Sequence, residues 1–191
     1  MSGTPDTTTV RDNVGRDCGE ATDEALMARA AAGDDDAFCR FVERNQRVVA
    51  NFLIRCGVER DVEDLTQRTF LKLHRVRRGW KPTAKFATFL LMIAKQTMID
   101  SIRATRRRED LHRKAAEERE TVEDAPLHRG ESQDAAAALA CLSAPLREAV
   151  VLVVMQGLAY GEAAQVLDVP IGTVKSRVNA ALGQMRKELS K

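Results

Sequence analysis

Apolar side chains recur three and four positions apart along most of this 191-residue chain, and breakers cut that rhythm into short helices. The first helix is predicted from Asp23 to Ala30, with Thr22 or Asp23 as its cap, acids in its first turn and Gly33 as its stop. Asp34 and Asp35 open a longer one, Ala37 to about Cys56, with a core from Phe38, Phe41, Val42, Val48, Val49, Phe52 and Leu53. A third runs from about Val62 to Arg77. It sets Val62, Leu65, Thr69, Leu73 and Val76 on one side, and Asp61, Asp64, Gln67 and Leu71 largely on another. A loop from Arg77 to Lys85 holds the only tryptophan, Trp80, which reads first as a core anchor beside Gly79 and Pro82. Phe86 to Arg103 then forms a heavily buried helix on Phe86, Phe89, Leu90, Ile93, Met98 and Ile102, while Gln96, Asp100, Arg103 and Arg107 follow one polar face.

A short helix, Ala135 to Leu142, leads through Ser143-Ala144-Pro145 into three more. Leu146 to Gln156 is almost continuously apolar and too short to span a bilayer, so it is predicted as a buried helix ending near Gly157. Tyr160 to Leu167 packs through Ala163, Ala164, Val166 and Leu167. Asp168, Val169 and Pro170 make a break, because proline cannot continue a helix but suits the first turn of the next. The last helix shows a stripe at Val174, Val178, Ala181, Leu182, Met185 and Leu189. These last two helices read as a helix-turn-helix. Thr173, Lys175, Ser176 and Asn179 lie near the start of its second helix, where such folds meet base edges while basic residues hold phosphates. Spacing alone is equally met by an ordinary helical hairpin with a solvated basic face.

Charge sharpens the picture. The formal net charge of +2 conceals a basic block from Lys72 to Arg108, in which eleven Lys or Arg face one acid, Asp100. Acids flank it at Asp34 to Asp36, at Glu59 to Asp64 and from Glu109 onward. Such density points to a polyanion, since a solvated face intersperses both signs. Residues 1–22, rich in Thr, Asp and Gly, are predicted as a disordered tail, and 109–134 as a flexible acidic linker, helical at most around Leu111 to Glu120. The chain is therefore expected to be all-α, with two small helical domains at 23–108 and 135–191. Cys18, Cys39, Cys56 and Cys141 form no C-x-x-C pair, so neither a zinc site nor a disulfide framework is expected. They read as reduced thiols, with Cys39, Cys56 and Cys141 buried. No signal peptide or membrane-length apolar run is present, so a cytoplasmic protein is expected. His74, His112 and His128 are scattered and no catalytic set is apparent; no metal, cofactor, small-molecule substrate or enzymatic activity is expected.

The run Gly157-Leu158-Ala159-Tyr160-Gly161-Glu162-Ala163-Ala164-Gln165-Val166-Leu167, followed by Val169-Pro170-Ile171-Gly172-Thr173-Val174-Lys175-Ser176-Arg177, closely resembles the fourth conserved region of bacterial RNA polymerase sigma factors. The match is to the extracytoplasmic-function (ECF) group. Gly33-Asp34 with Ala37-Phe38 resembles the opening of that family's second region. Asp61 to Phe70 is similar to the segment that grips the polymerase clamp helices, which implies Asp61, Asp64, Gln67, Phe70 and Leu71 as core-polymerase contacts. The Trp80 loop resembles the one that captures an unstacked promoter base. Phe86 to Arg103 resembles the helix at the opened minus-ten element. Together these imply Trp80, Lys81, Lys85, Lys95, Gln96 and Arg103 there, and Thr173, Lys175, Ser176, Arg177 and Asn179 at the minus-thirty-five duplex. Arg68 stands where the family commonly has an acid, Pro82-Thr83-Ala84 where it often has Gly-Asp-Ser, and Ala180 and Leu182 where it has arginines.

The resemblance implies a promoter-recognition factor whose partners are core RNA polymerase, promoter DNA and, as is common in the family, an anti-sigma factor. Two readings compete with it. A stand-alone helix-turn-helix regulator would not need the distant basic block, and a nuclease would need clustered acids or histidines for metal. The expected arrangement is two separately folded cationic surfaces on an anionic tether.

Overall fold

Thr22 opens the first helix, α1 (Asp23–Ala31), by accepting a hydrogen bond from the Ala25 N–H at 3.2 Å. The protein is described here from a computed structural model covering residues 21–80, 85–115 and 133–189, with side chains throughout except at 110–115 and 133–135. After α1 the chain reverses at Gly33, whose φ of +105° favours glycine. Asp34 then caps α2 (Asp35–Arg55), its carboxylate accepting from the Ala37 N–H at 2.9 Å and pairing with Arg29 at 2.6 Å. Asp23 ties the two helices together, accepting from Asn45 Nδ2 at 3.1 Å and pairing with Arg44.

The Ala37 N–H, and after it Arg29, hold the Asp34 carboxyl below its ordinary value of 3.8. A depressed carboxylate contributes stability that is complete above the unfolded value and is lost as pH falls through the folded one. Asp34→Asn keeps a capping acceptor and removes the charge. Its thermal midpoint should therefore fall below the parent's near neutral pH and converge with it as pH falls below the ordinary carboxylate value and through the lowered folded one, as followed by circular dichroism across a pH series.

Asp61, at a left-handed φ of 60°, turns the chain into α3 (Val62–Val76), which buries Leu65, Thr66, Thr69, Phe70 and Leu73. A 3₁₀ turn, Arg77–Gly79, brings the chain to Trp80. Helix α4 (Phe86–Ala115) then runs 30 residues, well beyond the predicted end at Arg103 and into the predicted linker. The composition turns acidic after Arg108, but no Gly or Pro stops the helix there.

Aromatic rings fix the first half's centre. Phe41 meets Phe86 edge-on at 4.7 Å and Phe70 at 6.3 Å, and Trp80 meets Phe86 at 5.5 Å. Trp80 is half-buried and packed against the core, in keeping with its reading as an anchor. Val48, Val76 and Ile102, expected inside, are exposed. Cys39 and Cys141 are exposed too, against expectation, whereas Cys56 is buried and its thiol is pushed up to about 12, chiefly by desolvation.

The second half is built on α5 (Gln133–Ala140) and α6 (Ala144–Val150), the latter widening into a π turn at Val151–Met155 before Gly157 at φ +70°. Arg147 joins α5 to α6 by donating to the carbonyls of Leu139, Ala140 and Leu142 at 2.9, 2.9 and 3.0 Å. Helices α7 (Tyr160–Leu167) and α8 (Ile171–Leu189) complete the helix-turn-helix. The predicted packing side of α7 is buried at all four positions. On α8 the buried stripe is Val174, Val178 and Ala181 with Met185 partly covered, while Leu182 and Leu189 face solvent.

The described residues are helical with no strand, in two helical domains. The expectation that these lie apart is not met. Helix α4 rests against α7, and one apolar cluster runs from Leu26 in α1 to Ala181 in α8.

Candidate nucleic-acid interface

The turn between α7 and α8 is set by backbone chemistry. Glu162 reaches back to accept from the Ala159 N–H at 2.8 Å, half of a capping box, since Ala159 has no polar side chain to complete it. Asp168 ends α7 at a left-handed φ of 53°, and the Pro170 carbonyl accepts from Thr173 and Val174 at 2.9 and 3.2 Å to begin α8. With Val174, Val178 and Ala181 buried, the first turns present Lys175, Ser176 and Asn179 to solvent and leave Thr173 and Arg177 half-buried. The Ser176 hydroxyl donates to the Thr173 carbonyl at 2.9 Å, which commits its proton and leaves its oxygen's lone pairs as acceptors. Lys175 and Arg177 have no carboxylate within ion-pair distance among the described residues. The five predicted α8 residues thus gather on the start of one helix.

The other predicted cationic site is divided. Gln96 and Arg103 lie exposed on the same side of α4. Asp100 between them accepts from Gln96 at 2.9 Å and from Lys72 Nζ at 2.7 Å, and the Lys72 bond is the first cause holding its carboxyl below the ordinary value. This ties the face to α3 and takes up the block's one acid. Arg106, Arg107 and Arg108 continue the exposed cations.

Lys95 does not belong to that face. It lies one residue, and therefore about 100° of helix, from Gln96. It is buried and turned to Glu148 of α6, with Nζ 2.5 Å from Oε2. Lys85 is exposed but sits 3.4 Å from Glu162 of α7. Lys81 lies outside the described residues. Arg77, counted in the basic block read as facing a polyanion, is buried: it pairs with Asp35 at 2.5 Å and lies 5.3 Å from the centre of the Phe38 ring. Its role is to pin the 3₁₀ turn to α2.

On α3, Asp61, Asp64, Gln67 and Leu71 are exposed as predicted, whereas Phe70 is buried against Phe41. Phe70 contributes instead to the floor of a groove of about 420 Å³ between α2 and α3, with Phe38, Val42, Gln67, Leu71 and His74. Phe38 and Val42 were read only as core. Their i, i+4 spacing with Gln46 was the available sign of a second face. Arg68 occupies the family's usual acid position and pairs with Asp64 at 2.8 Å, an i, i+4 contact that the sequence also permits. Glu148 and Glu162 had no local signal at all. Among the described residues, no group of His, Cys, Asp and Glu is placed to hold a metal ion, and no helix is long and apolar enough to cross a membrane.

Residues 41–108 match the family profile of Sigma-70 region 2, and residues 132–185 that of Sigma-70, region 4. The two regions in one chain define a transcription initiation factor of the sigma-70 type, a class that is not enzymatic. The ECF RNA polymerase sigma-E factor of Haemophilus influenzae is 31% identical over 171 residues, covering 83% of this chain and 90% of that protein. That of Escherichia coli is 32% identical over 171 residues, with the same coverage. Among solved structures, CnrH in complex with the cytosolic domain of CnrY superposes with a TM-score of 0.65 at 27% identity, covering 88% of this chain and 97% of that one. The sigma factor RpoE of Bartonella quintana, in complex with the anti-sigma factor NepR, gives 0.65 at 28%, covering 80% and 96%. The chain belongs to the ECF family of RNA polymerase sigma factors.

Proposed function

We propose that this sigma factor binds core RNA polymerase, fixes it on a promoter through α8 and holds an opened strand against α4. In this reading Thr173, Lys175, Ser176, Arg177 and Asn179 meet the minus-thirty-five duplex. Gln96 and Arg103, extended by Arg106 to Arg108, meet the minus-ten strand beside Trp80 and the Lys81–Lys85 loop. Asp61, Asp64, Gln67 and Leu71, with Phe70 beneath them, form the polymerase-facing side of α3. The observation that supports this best is the pairing, in one chain, of an exposed cationic helix-turn-helix with a second cationic helix in the other domain. A stand-alone regulator has no use for the second.

The work is binding, and the chain itself makes no bond. Unstacking a base costs a few kcal/mol, and one or two captured bases with phosphate contacts supply that much. The protein acts where polymerase acts, in the cytoplasm. Because RpoE of Bartonella quintana was solved in complex with the anti-sigma factor NepR, an anti-sigma factor is proposed here also.

Run-off transcription tests the reading. Core enzyme with this protein should yield discrete start sites on genomic fragments, and core alone should not. Tight duplex binding by the free protein with no transcript gained would favour the stand-alone regulator instead.

A further inference from the structure

The one acid of the basic block is bound from two sides. Asp100 Oδ2 accepts from Lys72 Nζ of α3 at 2.7 Å, and Oδ1 accepts from Gln96 Nε2, one turn earlier on α4, at 2.9 Å. The Lys72 contact, and after it Gln96, holds the carboxyl below its ordinary value of 3.8, so near neutral pH it is ionised and can only accept. That fixes which way the Gln96 amide lies. Its nitrogen must face Asp100, because its oxygen there would meet a charged acceptor. Oε1 is left on the other side of the amide carbon, with no hydrogen-bond partner among the described residues. Lys72, reaching from a different helix, keeps the carboxylate from swinging away. An exposed carboxylate amid cations otherwise works against phosphate binding, since it repels the strand those cations attract.

We propose, on the reading of Gln96 and α4 as strand-binding, that Asp100 is a positioning residue for base selection. By holding the Gln96 amide with Oε1 outward, it makes that contact select an amino base, adenine or cytosine, over a keto base, guanine or thymine, at one position of the opened strand. The exocyclic group is the outermost on a base's edge. It is an N–H donor on adenine N6 and cytosine N4, and an acceptor oxygen on guanine O6 and thymine O4. An amide free to turn over serves either class, offering its nitrogen to a keto oxygen or its oxygen to an amino group. With the nitrogen held by Asp100, only the second arrangement is ready made. A keto base would face Oε1, acceptor against acceptor, unless the Gln96–Asp100 bond were given up. The relay from Lys72 through Asp100 thus turns a tolerant side chain into a selective one. Arg103, two turns further along the same side of α4, is left to hold phosphate, which positions the strand without reading it.

The test is transcription by core enzyme with the full chain on promoters randomised through the minus-ten element, each marked by a barcode in its transcript. The parent should favour A or C over G or T at one position by about tenfold, the discrimination of one good base contact. Gln96→Ala should flatten that position. Asp100→Asn keeps the shape but lets the neighbouring amide turn either way, and should flatten the same position to within about twofold. Lys72→Met, which frees the carboxylate, should do likewise. Adding Asp100→Asn to Gln96→Ala should change base preference no further. A merely structural acid gives a different result: Asp100→Asn would lower the thermal midpoint and reduce output evenly over all promoters, with the preference intact. That overturns the proposal, as does a parent preference for G or T at the position that Gln96→Ala flattens. If Gln96→Ala flattens no position, the strand-binding reading of Gln96 fails and the proposal with it. If Gln96→Ala flattens one that Asp100→Asn leaves sharp, only the role of Asp100 is refuted.

Discussion

Replacing Lys175 and Arg177 together by glutamate is expected to reduce promoter-dependent transcription by about 100- to 1,000-fold while leaving association with core polymerase unchanged. A contact to a base edge or phosphate contributes on the order of 1–3 kcal/mol, and each 1.4 kcal/mol is tenfold. Two such losses already account for about 100-fold, and two introduced like charges add repulsion against the duplex. The fold should tolerate both changes. Neither side chain has a carboxylate partner among the described residues, and the buried stripe of Val174, Val178 and Ala181 is untouched. The contacts proposed for polymerase lie on α3, in the other domain, so the two activities should separate. Run-off assays and pull-down with core enzyme would be made on the same preparation. Loss of both together would mean that α8 carries the polymerase contact as well.

How far the sequence led can be judged from particular residues. The helices were legible because their caps and breakers are local: Thr22, Asp34, Gly33, Gly157 and Pro170 each act within a few positions of themselves. The helix-turn-helix was legible for the same reason, and its wording carried the family. Where a stripe ends was less legible. Ala181 and Leu182 are adjacent candidates about 100° apart on α8, and only the partner surface selects the smaller one for burial. The end of α4 was misplaced because a change of charge was taken for a change of structure. The largest gap was the seam between the two domains. Lys95 and Glu148 are 53 positions apart, and no periodicity relates two helices of different domains. A charge run shows that cations are present, not which of them have found an acid, and so Lys95 and Arg77 were both counted in the basic block.

Phe41→Ala is expected to destabilise the first domain by about 3–5 kcal/mol, the range for removing a fully buried aromatic ring. Phe41 is 0% exposed, and it supports Phe70 on one side and Phe86 on the other. Each edge-on pair adds about 0.5–1.5 kcal/mol beyond area burial, so the loss should lie toward the upper end. Against a total stability of about 5–15 kcal/mol this is a large fraction. Phe41→Leu leaves a smaller void and should cost less. The effect should reach the proposed strand-binding loop, because Trp80 packs on Phe86, which loses its neighbour. Trp80 is the only tryptophan, so its fluorescence reports the first domain alone, while far-UV circular dichroism reports both. In urea, the Trp80 transition of Phe41→Ala should move to lower concentration than the loss of helix as a whole. That separation is expected because the seam, held by the Lys95–Glu148 pair and opened by a groove, gives way before the second domain's core does. Coincident transitions would instead show that α4 and α7 unfold as one cooperative unit, and that the domains part only when the first of them melts.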